Sequence, residues 1–452
     1  MYPFSGARMK DEKEMLEYLG IDSVEELFRD VPGSVRADLE LPESISEMEV
    51  MARVRKDLCK NKSLDQMISF LGGGIYRQYV PAGVSEILGR SEFYTSYTPY
   101  QAEISQGMLR ALFEYQSLVC ELTGMDAANT SMYDQHTALA EAVLMAGRIG
   151  KRKRKKFLIP KNIHWDKLPV INNYLRGSDI EIELVSYNPE TGTIDQDDLK
   201  DKLGDDTLGF YVESPNVFGV LEEDIKVFKD LREESDAVMV AGINPLSLAL
   251  LKPPSEYGAD IVVGDSQPFG MPPSFGGPTV GIFACKGKHV RKMPGRMIGE
   301  TVDSDGNTAY CMTLQTREQH IRRERATSNI CTNEALSALA SSVYILLKGS
   351  EGLEETAKTC YKHAHQLAKM IDELEGYHAP YFSGEFFSEF VVELPVDARK
   401  LFEKAIQRNL LPGIPLGKHY EKLPSSMLTA VSDTNTMADM ELLVETFKEV
   451  MA

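Results

Sequence analysis

The sequence has little that would build a metal centre, a disulfide framework or a membrane span. Its six cysteines stand singly, with no CxxC pair and no histidines at metal-ligand spacing. Its longest apolar run, 237–251, is broken by Gly242, Asn244 and Pro245. Residues 1–10 lack the apolar segment that follows a basic start in a signal peptide. We therefore expect a cytoplasmic protein in a reducing compartment, without a metal site and without a membrane partner.

Basic charge is also scarce. Lysine and arginine total 49 against 68 aspartate and glutamate, a formal net charge of −19 at pH 7. This balance opposes sequence-independent binding to nucleic acid or to an anionic membrane. The exception is the basic run 151–156, which we interpret as a solvated connector after a helix, where cations complement the helix dipole. A role for this run in docking an acidic partner stays open.

Short β-rich runs alternate with helical segments through the middle of the chain, which predicts an α/β fold with an open, mostly parallel, doubly wound sheet. Because these runs are apolar on both faces, we expect buried parallel strands. The predicted strands are 157–160, 180–187, 209–213, 237–241, 260–263 and 280–284.

Segments with helical periodicity precede and follow these predicted strands in the sequence. Apolar residues at three- and four-residue steps predict a long helix over 103–123, with Gly124 as its C-cap, and a second helix over about 137–148. Long helices return at 332–347 and 353–374, followed by β-rich runs at 386–394 and 426–431. We therefore expect three parts: an N-terminal helical arm over 1–90, a large α/β domain over 91–330, and a small α+β domain over 331–452.

Two segments are candidates for ligand binding. The segment 131–137 opens the second helix, where free amide groups attract an anion, but Asp134 or Thr137 fits equally well as a simple N-cap. The segment 92–103 places four aromatic rings and several hydroxyl groups before a long helix, which is typical of a binding surface. The glycine-rich run 71–75 fits neither a P-loop nor a dinucleotide fingerprint.

Several motifs together resemble those of the glycine dehydrogenase (decarboxylating) family, the P-protein of the glycine cleavage system. The matching segments span nearly the whole chain and include Tyr94-Thr-Ser-Tyr-Thr-Pro-Tyr-Gln-Ala-Glu-Ile-Ser-Gln-Gly107, Cys120-Glu-Leu-Thr-Gly124, Ala128-Asn-Thr-Ser-Met-Tyr-Asp134, Glu213-Ser-Pro-Asn216, Gly264-Asp-Ser-Gln-Pro268, Phe275-Gly-Gly-Pro278 and Ala326-Thr-Ser-Asn-Ile-Cys-Thr-Asn333. The length is about half that of the family's single-chain form, so the chain resembles the alpha subunit of the two-subunit version.

The resemblance implies a fold-type I architecture that uses pyridoxal phosphate. Such a site needs a Schiff-base lysine and a carboxylate on the pyridinium nitrogen. Where the catalytic half of the family resembles Asp-Gly-Ala-Asn, this chain has Ala241 in place of the aspartate; counted back from Gly277 and Pro278, the lysine position falls on Gln267. In addition, Gln135 and His136 replace small residues usual in the phosphate cup. We therefore expect no catalytic residue of this chain's own and a partner that holds the cofactor covalently.

The resemblance also implies a shared site at a subunit interface. It assigns Tyr97, Thr98, Tyr100 and Gln101 to this shared site, with the tyrosine hydroxyls orienting glycine or its aldimine, and Thr327 to the phosphate of the partner's pyridoxal phosphate. The implied partners are subunit 2 (beta), in an α2β2 assembly, and the lipoylated H-protein. The enzyme so formed removes CO2 from glycine and passes the aminomethyl group to the lipoyl arm.

Two alternatives remain open. In one, the chain is a purely structural or regulatory pseudoenzyme subunit that stabilises its catalytic partner. In the other, it is a stand-alone pyridoxal-phosphate enzyme that uses an unusual lysine.

Overall fold

The structure is a computed structural model that describes residues 9–37, 42–96, 99–150, 154–327, 330 and 332–451. Contacts divide the chain into two compact units, Met1–Lys62 and Ser63–Ala452. Among the described residues, no helix has the length and apolar character needed to cross a bilayer. The same residues hold no group of three or more histidine, cysteine or acidic side chains arranged to take a metal ion.

The first unit contains helices α1 (Met9–Leu19) and α2 (Glu47–Leu58) and two short 3-10 turns. Helix α2 begins with a capping box, in which Ser46 and Glu49 satisfy each other's backbone amides. None of the residues described between 11 and 62 is buried. Large apolar side chains such as Tyr18 and Met48 are 91% and 78% exposed. The described part of this unit therefore forms no hydrophobic core of its own.

Helices and strands alternate through the second unit. Its helices are α3 (Ala82–Leu88), α4 (Ser91–Tyr94), α5 (Gln106–Thr123), α6 (Gln135–Ile149), α7 (Lys167–Tyr174), α8 (Gln196–Lys202), α9 (Ile225–Ser235), α10 (Gln319–Arg322), α11 (Ala335–Asp372), α12 (Ala398–Gln407) and α13 (Met437–Met451). Its strands are β1 (Ile68–Ser69), β2 (Ala127–Ala128), β3 (Lys156–Pro160), β4 (Glu181–Val185), β5 (Thr207–Glu213), β6 (Val238–Ile243), β7 (Ile261–Asp265), β8 (Gly281–Cys285), β9 (Met297–Val302), β10 (Thr308–Thr313), β11 (Glu389–Glu393), β12 (Leu410–Leu411), β13 (Ile414–Pro415) and β14 (Ser426–Ala430).

A seven-stranded sheet, in the order β2-β8-β7-β6-β5-β3-β4, forms the centre of this unit. Side chains alternate between its two faces, so that Phe210 and Val212 of β5 pack beneath α5 and α11, whereas Tyr211 packs against α6. Apolar residues fill both faces because both are covered by helices. The predicted open, doubly wound α/β sheet is confirmed.

Strand β8 departs from the prediction. The run 280–284 was expected to be parallel, but β8 pairs antiparallel with both β7 and β2. The connection 266–280 contains one 3-10 turn, Ser274–Gly276, and no α-helix, whereas a parallel neighbour is usually reached through a crossover helix. The expectation that β4 is buried is also wrong: β4 is the edge strand, and only Val185 of its five residues is buried.

The predicted helix boundaries agree closely with the structure. Helix α5 ends at Gly124, whose φ of 68° lies in the left-handed region that glycine tolerates. The two long helices predicted after residue 331 correspond to α11, which is interrupted at Gly349 (φ 64°). Farther along, β11, β14 and β13 form a three-stranded antiparallel sheet. The division into domains at residues 90 and 330 stays a prediction, although β1, within the segment 1–90, pairs with β12 near the C-terminus.

The described members of the basic run 151–156 are engaged within the chain. Arg154 donates hydrogen bonds to the carbonyl oxygens of Thr207 and Asp236, and Lys155 lies 3.2 Å from the carboxylate of Asp179. Residues 151–153 lie outside the described residues. These contacts agree with the interpretation of the run as a connector into β3.

Candidate functional site

A cavity of about 340 Å³ opens at the carboxyl ends of three neighbouring strands. Glu213 ends β5, Asn244 follows β6 and Asp265 ends β7, and all three line the cavity. The first residues of α6 form one wall and the segment 73–76 forms another. Ligands of open α/β sheets bind at such strand ends, so this cavity is the candidate site.

Carboxylates of the chain itself occupy the N-terminus of α6. Asp134 is the N-cap: its Oδ1 accepts a hydrogen bond from the amide of Thr137 at 2.7 Å, and the Thr137 hydroxyl accepts one from the Asp134 amide. The next amide, that of Gln135, donates to Asp265 Oδ2 at 3.3 Å. Of the two interpretations of segment 131–137, the N-cap is therefore the one that the structure supports.

A buried ion pair lies deeper in the cavity wall. The Lys167 ammonium group donates to Glu213 Oε1, which also accepts a hydrogen bond from Gln135 Nε2 at 3.0 Å. Lys167 is 1% exposed, and burial lowers its pKa although the Glu213 carboxylate opposes that shift. Two imidazoles, those of His136 and His164, meet at 3.3 Å beside the pair.

Gln267, the predicted counterpart of the lysine, is fully buried. Its Oε1 accepts from the Tyr76 amide, and its Nε2 donates to the carbonyl oxygens of Tyr76 and Met271. Ala241, the predicted counterpart of the carboxylate, belongs to β6 and is buried in the apolar core on the α5 and α11 side of the sheet. Both assignments stay predictions, but neither side chain reaches the cavity wall.

The glycine-rich run 71–75 has a packing role. A Cβ on Gly72 would lie only 1.9 Å from Glu389 Oε1, and the Gly73 amide donates to that same oxygen at 2.6 Å. Glu389 is buried and also accepts a hydrogen bond from the Tyr76 hydroxyl at 2.7 Å. Glycine at position 72 thus lets the backbone approach a buried carboxyl closely.

The aromatic segment 92–103 lies elsewhere, and the structure describes it in part. Tyr97 and Thr98 lie outside the described residues, and Gln101 is exposed. Tyr100 is half-buried: its ring lies over the Arg296 guanidinium at 3.7 Å, and its hydroxyl donates to Asn333 Oδ1 at 3.2 Å. The structure therefore fixes one of the four predicted residues by two independent contacts.

Glu318 connects Thr327 with the Tyr100–Arg296 pair. Arg296 Nε is 3.5 Å from Glu318 Oε2, and Thr327 lines a small cleft together with Glu318 and Ile330. A neighbouring cleft of about 210 Å³ is lined by Arg296, Glu318 and His320, among others. The structure thus brings Tyr100 and Thr327 to one region of the surface, whereas Ala241 lies in β6 and Gln267 in the turn after β7.

Comparison with known proteins identifies the family. The family model described as Glycine cleavage system P-protein matches residues 3–447. The chain is 46% identical over 443 residues to a Pyrococcus horikoshii protein named probable glycine dehydrogenase (decarboxylating) subunit 1, covering 97% of this chain and 98% of that one. A Listeria innocua protein of the same name is 46% identical over 444 residues, with 98% and 97% covered.

The chain belongs to the glycine cleavage system P-protein family. A crystal structure described as glycine decarboxylase (P-protein), in inhibitor-bound form, superposes with a TM-score of 0.91 at 36% identity, covering 99% of each chain. The resemblance read from the motifs is confirmed, and so is the predicted fold.

The cavity of this P-protein family member does not fit pyridoxal phosphate. A phosphate group at the start of α6 would meet Asp134 and Asp265, which already take the amides of Thr137 and Gln135. These two amides are therefore not free to bind an added anion. Among the described residues that line the cavity, Lys167 is the one lysine, and Glu213 holds its ammonium group.

Sequence reasoning missed several residues of these two regions. Lys167, Glu213 and Asp265 form the polar interior of the cavity, and Arg296 supports Tyr100. Glu213 and Asp265 stand at the ends of predicted strands, a position that favours ligand contact and that was available in the sequence. Nothing in the local pattern around Lys167 or Arg296 marks either residue, because their partners are distant along the chain.

Proposed function

We propose that this chain is the subunit of a heteromeric glycine dehydrogenase (decarboxylating) that does not anchor pyridoxal phosphate, and that a partner, subunit 2 (beta), supplies the Schiff-base lysine. Together the two subunits decarboxylate glycine and transfer the aminomethyl group to the lipoyl group of the H-protein. The family and the relatives named subunit 1 support a multi-subunit enzyme. The shared fold-type I architecture supports the participation of pyridoxal phosphate, which serves as the electron sink for the decarboxylation.

One observation carries the division of labour between the subunits. Two backbone amides at the start of α6, where a phosphate would bind, instead donate hydrogen bonds to the carboxylates of Asp134 and Asp265. The side-chain amide of Gln267 donates its hydrogen bonds to the carbonyl oxygens of Tyr76 and Met271. Carboxylates at the expected phosphate position and an amide at the predicted lysine position are unsuited to holding the cofactor. These contacts support covalent attachment by the partner.

We further propose that this chain contributes to the partner's site through Tyr97, Thr98, Tyr100, Gln101 and Thr327. Stacking on the Arg296 guanidinium and a hydrogen bond to Asn333 hold the Tyr100 ring in one orientation. A fixed phenol at a subunit boundary orients a small polar substrate at little entropic cost. In this arrangement Thr327 binds the phosphate of the partner's cofactor, and the assembly is α2β2.

The experiment compares the isolated chain with the complex that it forms with subunit 2. We expect no visible absorbance of lysine-bound pyridoxal phosphate and no borohydride-trapped lysine in the isolated chain. We expect both in the complex, together with exchange of labelled CO2 into the carboxyl group of glycine. An isolated chain that traps the cofactor on a lysine of its own would contradict the proposal and favour the stand-alone enzyme.

A further inference from the structure

The cavity at the strand ends has an unfilled hydrogen-bond acceptor. Glu213 is 7% exposed, and its Oε1 accepts hydrogen bonds from Lys167 Nζ and Gln135 Nε2. The Tyr211 hydroxyl, which Lys167 Nζ contacts at 3.4 Å, lies beside the same carboxylate. Glu213 Oε2 is buried and has no hydrogen-bond partner among the described residues. An unpaired buried carboxylate oxygen is unfavourable, and Glu213 lines the cavity, so a donor bound there would satisfy it.

The charges around the cavity decide the sign of that donor. Five carboxyl groups line it, and Lys167, already bound to Glu213, is the one ammonium among the described lining residues. The lining carboxyl groups are those of Asp134, Asp166, Glu213, Asp265 and Glu389. Burial lowers the pKa of His136, and it lowers that of His164 to about 3, so both imidazoles are neutral near neutral pH. Burial raises the pKa of Asp265 and that of Glu389 to about 7, so these two carboxyl groups are partly protonated near neutral pH. The other three lining carboxyl groups still outnumber the single ammonium, so the interior is negative and selects for a cation.

The lining residues of the cavity also favour an organic cation over a metal ion. The described residues hold no group of three or more histidine, cysteine or acidic side chains arranged for a metal ion. Glu213 Oε2 needs a directional N–H donor, and a volume of about 340 Å³ suits a small organic molecule. A primary ammonium group supplies three such donors and a positive charge.

We propose that this cavity binds a small organic ammonium ion, with the Glu213 carboxylate as its hydrogen-bond acceptor. A pocket at the strand ends that would be expected to favour anions instead selects cations, because carboxylates neutralise the start of α6. The proposal does not depend on which subunit holds the cofactor.

The chain contains its own reporter for the test. Trp165 is the single tryptophan, and its ring stacks on that of His164 at 3.9 Å, while His164 lines the cavity. We would titrate the full-length chain with ethylammonium chloride and follow tryptophan fluorescence and calorimetric heat together. Potassium chloride and sodium phosphate at matched ionic strength are the comparison ligands.

We expect a saturable response to ethylammonium and none to potassium or phosphate. Glu213→Gln should weaken ethylammonium binding about tenfold or more, because a charge-assisted hydrogen bond is replaced by a neutral one. The matched control is Glu222→Gln: Glu222 is buried outside the cavity lining, and burial raises its pKa to about 8, so the substitution should leave binding unchanged.

Circular dichroism and melting curves check that each variant folds. If Glu213→Gln does not fold, Asp166→Asn replaces it, since the Asp166 side chain is 66% exposed and still lines the cavity. This variant should weaken binding about two- to threefold through the lost charge alone. The proposal is overturned by the absence of any saturable signal, by an equal response to potassium, by saturable phosphate binding, or by folded Glu213→Gln and Asp166→Asn proteins that both bind like the unmodified chain.

Discussion

The side chain of Gln267 and the backbone of Tyr76 are joined by two hydrogen bonds of 2.9 Å, one in each direction. A third hydrogen bond runs from Gln267 Nε2 to the carbonyl oxygen of Met271 at 2.8 Å, so both N–H groups of the side-chain amide have acceptors. The residue at the predicted lysine position therefore holds the segment 73–76 against the sheet. The role of Gln267 is structural. A lysine at this position could not replace it, because an ammonium group has no acceptor for the Tyr76 amide.

The first prediction is that Gln267→Lys does not restore a cofactor site. The substitution leaves the Tyr76 amide without an acceptor and buries a charge, so we expect a loss of about 2–4 kcal/mol in the free energy of unfolding. Urea denaturation measures this loss, and absorbance after addition of pyridoxal phosphate tests for a lysine adduct. Gln366→Lys, on the exposed side of α11, is the control and should change stability by less than about 0.5 kcal/mol. A stable variant that turns yellow would show the reasoning to be wrong.

The second prediction concerns the Tyr100 hydroxyl. In the complex with subunit 2, Tyr100→Phe keeps the ring over Arg296 but removes the donor to Asn333, and we expect glycine decarboxylation to fall about tenfold or more. Labelled CO2 release measures the effect. Tyr79→Phe, at a ring that is 59% exposed, is the matched control and should have no effect. Unchanged activity in Tyr100→Phe would favour the purely structural role of this chain instead.

The third prediction concerns the support of that ring. Arg296→Lys keeps the positive charge but loses the planar guanidinium that stacks beneath Tyr100, so we expect a loss of about 1 kcal/mol in the free energy of unfolding. In the complex, the activity of Arg296→Lys should fall in parallel with that of Tyr100→Phe. Arg110→Lys, on the exposed surface of α5, serves as control. Equal stability of the two lysine variants would argue against the stacking contribution.

The fourth prediction uses a buried carboxylate away from both sites. Asp260 accepts two hydrogen bonds from Arg232, at 2.9 and 3.0 Å, and one from Lys286 at 2.9 Å. Burial alone would raise the pKa of Asp260, but these cations outweigh it and hold the pKa below its ordinary value. Asp260→Asn should therefore lower the free energy of unfolding by about 3 kcal/mol near neutral pH.

The pH dependence of this effect has a definite sign. A lowered carboxyl pKa stabilises the fold above the ordinary pKa, and that stabilisation is lost as the pH falls through the folded-state value. The difference between the unmodified protein and Asp260→Asn should therefore shrink in acid. Denaturation series at several pH values measure it, with Asp230→Asn on the exposed face of α9 as control. A difference that stays constant down to acid pH would contradict the ion-pair explanation.

The fifth prediction concerns Glu389, whose pKa is shifted in the opposite direction to that of Asp260. Burial raises the pKa of Glu389 to about 7, although hydrogen bonds from Gly73 and Tyr76 oppose the shift. The folded state then binds a proton that the unfolded state releases, so the free energy of unfolding should fall as pH rises from about 4.5 to above 7. Glu389→Gln keeps an acceptor and removes the titration, so its stability should decline less over this window. Parallel stability–pH curves for the two proteins would contradict the assignment.

The sequence by itself determined the fold class and the family. Strand periodicity located the central strands within a few residues, because a buried strand is apolar along its whole length wherever its partners lie. Gly124 marked the end of α5 for an equally local reason, since the left-handed backbone there favours glycine. The motifs from 94 to 333 identified the family because they are contiguous in the chain.

Tertiary structure decided the direction of β8, the chemistry of the cavity and the support of Tyr100. The orientation of β8 depends on the path of its connecting loop, which the apolar pattern of a strand does not encode. Glu213 and Lys167 lie 46 positions apart, and Arg296 reaches Tyr100 from even farther along the chain. Burial and charge pairing between such distant residues arise only once the sheet has brought them together, and these long-range contacts, not local pattern, set the polarity of a site.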